Sequence, residues 1–230
     1  MLRHTAFFLL KEGKGDEEMR WMQKGSAYMR FTAAGPVAID FGQDLFGGSL
    51  HLSETKPWDR TPRWRAATEG PPSDYDVALH LDFEDEAGLD AYNHDDVHHE
   101  IAVYNAAVSQ GELTARIDWW YDGGPLIQAG KVRHAAMFLW RDEADDTAKE
   151  RAMAEVKRLG DEPGVERLTL GTNVGTLRTD YDWILDLQVD DTEAAERLVR
   201  GDVYRDTMLA LSTATKYEWT ARLTHTMHGH

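Results

Sequence analysis

The stretch Leu2-Arg3-His4-Thr5-Ala6-Phe7-Phe8-Leu9-Leu10 returns midway along the chain as Val132-Arg133-His134-Ala135-Ala136-Met137-Phe138-Leu139-Trp140, with Arg, His, Ala, Phe and Leu in register. A second pair follows in the same order: Asp74-Tyr75-Asp76-Val77-Ala78-Leu79 matches Asp180-Tyr181-Asp182-Trp183-Ile184-Leu185. At that same offset Asp96-Val97 meets Asp202-Val203, and Thr114-Ala115-Arg116 meets Thr220-Ala221-Arg222. Blocks recurring in one order mark a duplication, so the 230 residues divide into two homologous units. The boundaries expected are 1–123 and 132–230, with a linker at 124–131 that follows Gly123 and begins Gly124-Pro125. Each unit is roughly a hundred residues, enough to bury a core of its own.

Working outward from the repeats, each unit opens with a short apolar strand, Leu2 to Leu10 and Val132 to Trp140. Asp16 to Phe31 sets Met19, Met22, Ser26 and Met29 near one face, and Thr147 to Leu159 does the same with Met153, Val156 and Leu159. Both are predicted to be amphipathic helices, ended by Gly35-Pro36 and Pro163-Gly164. Second strands follow at Val37 to Leu45 and Val165 to Val174, carrying Gly42 and Gly171 at matching places. In the third strand Val77, Leu79, Leu81 and Phe83 alternate with Asp76, Ala78, His80 and Asp82, and its counterpart carries Trp183, Leu185, Leu187 and Val189. Helical segments come next, Glu86 to Tyr92 with Val97 to Ser109, and Glu193 to Leu198 with Val203 to Thr213. Leu113 to Tyr121 and Trp219 to Met227 then close the units. The order β-α-β-β-α-β predicts an α+β fold, a ferredoxin-like unit twice over, with helices on one face of an antiparallel sheet. Unit one alone carries a Pro-, Trp- and Arg-rich insertion at 51–72, expected to be a lid because Trp58 and Trp64 are unusual in a disordered segment.

Composition narrows the chemistry. There is no cysteine, which removes disulfides, thiolate metal sites and cysteine nucleophiles and suits a reducing cytoplasm. A formal charge of -16 repels nucleic acid and anionic lipid, and Arg60, Arg63 and Arg65 form the densest basic patch, better read as a solvated or lid-positioning set than as a phosphate groove. No apolar run reaches membrane-spanning length, and Met1-Leu2-Arg3-His4 leads into a strand and not into a signal peptide. A cytoplasmic location, with no nucleic-acid or membrane partner, is expected. Eight tryptophans favour an aromatic-lined cavity as well as a core.

The opening Arg-His before an apolar strand in each unit, the Tyr-Asp that starts each third strand, and the phrase Phe83-Glu84-Asp85-Glu86-Ala87-Gly88-Leu89-Asp90-Ala91-Tyr92 together resemble the stress-responsive dimeric α/β-barrel family. The resemblance covers both halves apart from the insertion and the linker. It implies a fused pseudo-dimer, one chain supplying both sheets of the barrel, monomeric at that level although open to association through the outer helices. Fold alone leaves function open, since that barrel serves cyclases, cofactor-free oxygenases, haem enzymes and proteins without known activity. The olivetolic acid cyclase-type polyketide cyclases of this family use a Tyr and a His six residues later. Unit one has Tyr92 and His98 at that spacing, whereas unit two has Leu198 and Tyr204, so one site per chain is implied. Where the family commonly reads His-Pro-x-His, this chain reads Asp95-Asp96-Val97-His98.

The residues themselves suit that chemistry. Asp95 or Asp96 is a good N-cap, which puts His98 in the first turn of a helix, where the dipole disfavours added positive charge and Asp95, Asp96 and Glu100 favour it. A neutral His98 could act as base, and Tyr92 as hydrogen-bond donor to an enolate oxygen. A capping or packing role for the same two side chains is the alternative. His94 and His98 have the spacing of two ligands on one helical face, but histidines in an acidic surface stretch are more often unliganded, and neither metal nor cofactor is expected. His225, His228 and His230 are read as a terminal tail, for which disorder is the default. Parity puts His4, Ala6, Phe8 and Leu10 on one face of their strand, with Asp76, His80 and Asp82 turned to the partner half. The resemblance places a ligand between sheet and helices, lined by His4, Phe8, Met22, Val77, Leu79 and Leu81, with Trp58 and Trp64 at its mouth, although a plain core of the same residues is the alternative. The function expected is a cofactor-independent cyclase of lyase or isomerase type acting on a polyketide-like or aromatic polyketone small molecule. The alternatives are a cofactor-free oxygenase of an aromatic and a noncatalytic small-molecule-binding stress-response protein.

Overall fold

The structure is a computed structural model that describes residues 1–46, 75–125, 127–174 and 181–228. The segment expected to be a lid, with Trp58 and Trp64, lies outside the described residues. Unit one runs β1 (Leu2–Phe8), α1 (Asp16–Thr32), β2 (Ala38–Gln43), β3 (Val77–Phe83), α2 (Glu86–Asn93), α3 (Asp96–Val108) and β4 (Ala115–Trp120). Unit two repeats it as β5 (Val132–Phe138), α4 (Asp146–Lys157), β6 (Val165–Thr172), β7 (Trp183–Val189), α5 (Thr192–Arg200), α6 (Asp202–Leu211) and β8 (Ala221–Thr226). Each unit forms one four-stranded antiparallel sheet, ordered β2-β3-β1-β4 and β6-β7-β5-β8, as a ferredoxin-like unit requires.

The repeated motifs hold the same backbone joints in both halves. Tyr75 Oη donates to the carbonyl of Leu113 at 2.8 Å, and Tyr181 Oη to that of Trp219 at 2.8 Å. Asp76 Oδ2 accepts the Leu10 N–H at 2.7 Å, and Asp182 Oδ2 the Trp140 N–H at 2.7 Å. The Tyr-Asp pair therefore ties the start of the third strand to the end of the first and to the turn before the fourth. Asp76 is thus occupied at the strand's end and does not point between the sheets as parity had it, because it sits one residue ahead of β3. Burial, with Asp44 adding to it, pushes the Asp76 carboxyl up to about 6.

The two sheets meet face to face and close at two related seams. The Leu45 N–H donates to the carbonyl of Thr224 at 2.8 Å, and the Val174 N–H to that of Asp118 at 2.9 Å. Beside them the matching glycines have a common reason to lack a side chain: a Cβ on Gly42 would collide with the ring of His225, and one on Gly171 with the ring of Trp119. His225 is accordingly no part of a loose tail. It lies in β8, fully buried and stacked on His80 with ring centroids 5.3 Å apart, and the His228 N–H donates to Asp40 Oδ1 at 3.1 Å. His230 lies outside the described residues.

Apolar residues fill three layers. Met22, Ile39, Val77, Leu81 and Phe83 pack under the helices of unit one, and Phe138, Val156, Trp183, Leu187 and Met208 under those of unit two. Phe7, Ile117, Trp119, Met137, Ile184 and Leu223 fill the space between the sheets. Through that middle layer runs a buried ion network. Arg3 grips Asp82 with Nε and Nη2 at 2.7 and 2.8 Å and reaches Asp186 at 3.0 Å, while Arg133 spans Asp186 at 3.3 Å and Asp40 at 2.7 Å. Each of these side chains is 3% exposed or less. Burial opposes the charge on Arg3, but Asp82, and after it Asp186, hold its pKa above the usual arginine value. Losing one member would strand its partners in a medium that cannot solvate them.

Candidate functional site

Between the sheet of unit one and its helices α1 and α3 lies a cavity of about 130 Å³. Its floor is the helix-facing side of the strands, with His4, Ala6 and Phe8 from β1, Leu79 from β3 and Arg116 from β4. Met29, Tyr92, His98, Ile101, Ala102 and Asn105 supply the roof and walls.

His98 is placed by the joint between α2 and α3. Asp95 caps α3, its Oδ1 accepting the N–H groups of Val97 and His98 at 2.9 and 3.1 Å, while its Oδ2 takes the Ala34 N–H at 3.0 Å beyond the end of α1. At the end of α2 the imidazoles of the joint add side-chain bonds to backbone carbonyls, two of which also accept backbone N–H groups. His94 Nδ1 meets the carbonyl of Asp90 at 2.8 Å, His98 Nδ1 that of Tyr92 at 3.0 Å, and His99 Nε2 that of Asn93 at 2.8 Å. This is the physical reason for a histidine cluster here. Among the described residues no group of three or more His, Asp or Glu side chains is arranged to hold a metal ion.

The same bond fixes the proton on His98. A carbonyl only accepts, so Nδ1 donates, and in the neutral ring Nε2 is left as an acceptor. Burial is the largest influence on this imidazole, and the charge of His4 adds to it; together they push His98 down to about 4 despite the carbonyl of Tyr92 and the charge of Asp95. The ring is therefore neutral across the physiological range. Tyr92 stacks on it at a centroid distance of 3.9 Å and directs its hydroxyl toward Met29 Sδ at 3.9 Å, a weak acceptor that a better one could replace. Burial, followed by the charge of Asp95, drives the Tyr92 phenol upward, so it keeps its proton and can donate a hydrogen bond.

Other polar groups converge on the cavity. His4 Nδ1 lies 2.6 Å from Asp118 Oδ1, a contact that holds the imidazole by a carboxylate with no exposed surface. Asn105 is 5% exposed, and its Oδ1 is buried with no hydrogen-bond partner among the described residues. Arg116 brings a guanidinium to the wall. Of the residues expected from sequence to form the site, His4, Phe8, Leu79, Tyr92 and His98 line this cavity, whereas Met22, Val77 and Leu81 are in the fully packed core and not among its lining residues. Asn105, Arg116 and Asp118 were not expected. A lone Asn within a helical run, or a lone Arg or Asp within a strand, gives no periodic signal, and only the pairing of His4 with Asp118 across adjacent strands shows the latter's role.

Unit two is built differently at the matching places. Tyr204 replaces His98 and donates its hydroxyl to, or accepts from, His134 Nε2 at 2.7 Å, while Thr224, in the place of Asp118, takes Nδ1 at 2.8 Å. Both nitrogens of His134 are occupied, and complete burial pushes it down to about 3. Met208 and Leu211 stand where unit one has Ala102 and Asn105, and both are fully buried.

No family model matches the chain, and no curated protein matches its sequence. Solved structures do. An anthrone oxidase-like protein superposes with a TM-score of 0.67 at 10% identity, over 100% of this chain and 92% of that one. A protein of Fusobacterium nucleatum subsp. nucleatum, named as a candidate monooxygenase, superposes with a TM-score of 0.57 at 11% identity, over 99% of this chain and 91% of that one. These likenesses show the fold: paired ferredoxin-like units spanning the whole chain. No helix among the described residues is long and apolar enough to cross a membrane.

Proposed function

We propose that the protein is an enzyme that removes a proton from a polyketide-like or aromatic polyketone small molecule, with His98 as the base, and that the outcome is ring closure of the polyketide-cyclase type. Residues 1–123 carry the site in this reading, 132–230 complete the barrel, and 124–131 link them. The observation that carries it is His98: Nδ1 is committed to a backbone carbonyl, the ring is neutral, and Nε2 is an acceptor on a ring lining a sequestered cavity. Nε2 takes the proton of a C–H flanked by carbonyls, and the electron pair moves onto oxygen as an enolate. The enolate carbon then bonds to a second carbonyl of the same molecule, whose oxygen receives a proton. A base with a pKa near 4 is weak, so the enolate has to be stabilised strongly. Tyr92 Oη, the far edge of His4 and the Arg116 guanidinium are the groups suited to that, and negative charge forming beside His98 raises its basicity as the proton arrives. Asn105 Oδ1 suits a substrate hydroxyl or enol. The chemistry needs no cofactor when the substrate supplies its own acidity.

Deuterium exchange at C2 of a β-keto ester in D2O, followed by NMR, tests the base directly. Wild type should accelerate exchange, His98→Ala should lose on the order of 10² to 10⁴ of that acceleration, and Tyr92→Phe should lose less, at most about 2.7 to 4 kcal/mol for one donor to an oxyanion. Exchange at the buffer rate in wild type would leave a binding protein. The likeness over the full chain to an anthrone oxidase-like protein favours one second reading, a cofactor-free oxygenase. There the same deprotonation produces a carbanion or phenolate that O2 oxidises, so oxygen uptake with an aromatic substrate separates the two.

A further inference from the structure

A second concavity, of about 380 Å³, lies on the outer surface of unit one between α1 and α3, lined by Trp21, Lys24, Gly25, Tyr28, Glu100, Ile101 and Tyr104. Trp21 and Tyr28 are 55% and 59% exposed, an unusual outlay of aromatic surface. Ile101 lines both this groove and the inner cavity. Opposite it α1 carries Gly25, where a Cβ would stand 3.4 Å from Ile101 Cγ2, so the isoleucine packs on helix backbone bare of a side chain at that point. The inner cavity alone is small against the roughly 300 to 1,000 Å³ of ordinary ligand sites. The corresponding surface of unit two differs in kind. Arg151, Glu155 and Arg158 occupy the places of Trp21, Gly25 and Tyr28, with Arg158 paired to Glu155 at 2.9 Å, and buried Thr207 replaces Ile101. The aromatic groove occurs in the half that has the cavity.

We propose that the groove is the tail subsite of one substrate site: when Ile101 swings aside, a ligand whose polar head occupies the cavity lays an apolar tail, alkyl or aryl, between Trp21, Tyr28 and Tyr104. This rests on the cavity being the head's site. The chemistry of the walls defines the tail. Three aromatic rings offer apolar contact, and Lys24, held 4.8 Å over the Trp21 ring, keeps its charge at the rim.

The test is calorimetric titration with a series of 4-alkylphenols from methyl to octyl. In wild type the affinity should rise by about fourfold for each methylene that enters the groove. Trp21→Ala combined with Tyr28→Ala should abolish the rise and leave 4-methylphenol binding unchanged, and Ile101→Ala should start the rise at a shorter chain. Affinity independent of chain length, a rise that survives in the double variant, or a double variant that alters only self-association would overturn the tail subsite. Failure of the base reading shows elsewhere, as β-keto ester exchange that His98→Ala does not change while the chain-length dependence persists.

Discussion

The two halves share backbone joints and differ in what lies between sheet and helices. Tyr75 and Tyr181 make the same bond, as do Asp76 and Asp182, and Gly42 and Gly171 admit the same kind of ring from the opposite half. Under the helices the correspondence ends. His98, Ala102 and Asn105 in unit one line a cavity, with Asp118 holding His4; at the same places unit two has Tyr204, Met208 and Leu211, all buried, with Thr224 bonded to His134. The joints are common to both halves, whereas the pair of Tyr92 and His98 is not. Unit one keeps a cavity in that layer, and among the described residues the buried Asn105 Oδ1 at its wall has no hydrogen-bond partner.

Several substitutions break or sharpen this contrast. The largest effect is expected where the halves meet. Asp186 is shared by Arg3 and Arg133, so Asp186→Ala should destabilise the chain by about 3 to 5 kcal/mol in chemical denaturation. A value near zero would mean that water replaces it and the seam is not dry.

Acid stability comes next. His134 at about 3 and His98 at about 4 both lie below the ordinary histidine value, so the unfolded chain takes up protons below about pH 6.5 that the folded chain refuses. Their contribution is complete above that pH and is lost as pH falls toward 3; the raised carboxyl of Asp76 acts in the opposite sense. Each unit of separation is worth about 1.4 kcal/mol. His134→Asn should flatten the decline in stability between pH 6.5 and 4 more than His98→Asn does, because His98 is partly open to solvent and its effect is screened. Equal flattening would deny the difference in burial between the two sites. The smallest effect tests the shared joints: Tyr75→Phe and Tyr181→Phe should each cost about 0.5 to 1.5 kcal/mol, matching one another within error.

Much of this was legible in the sequence because duplication is a pattern of spacing, and spacing survives changes in side chain. Strand parity pointed His4, Phe8 and Leu79 toward the helices, and the six-residue interval from Tyr92 to His98 marked the joint where they stack. Parity could not separate Leu79, which reaches the cavity, from Val77 and Leu81, which pack beneath α1 and α2, since all three point the same way. Nor could it find the ion network. Parity had turned Asp82 toward the partner half, but Arg3, between Leu2 and His4, and Arg133, between Val132 and His134, carry no sign in sequence that they meet it and Asp186 there. The competition around His98 was likewise open in sequence, and burial together with His4 decides it.

The central claim is that a single half of this duplicated chain has a working site, and ligand stoichiometry tests it most directly. Calorimetric titration with 4-methylphenol should give one site per chain in wild type. Ala102→Met, which copies the residue at that place in unit two, should fill the cavity and remove binding by at least an order of magnitude while circular dichroism stays unchanged, and Met208→Ala should leave the unit-one site intact. Two equivalent sites in wild type, or undiminished binding in Ala102→Met, would contradict the account.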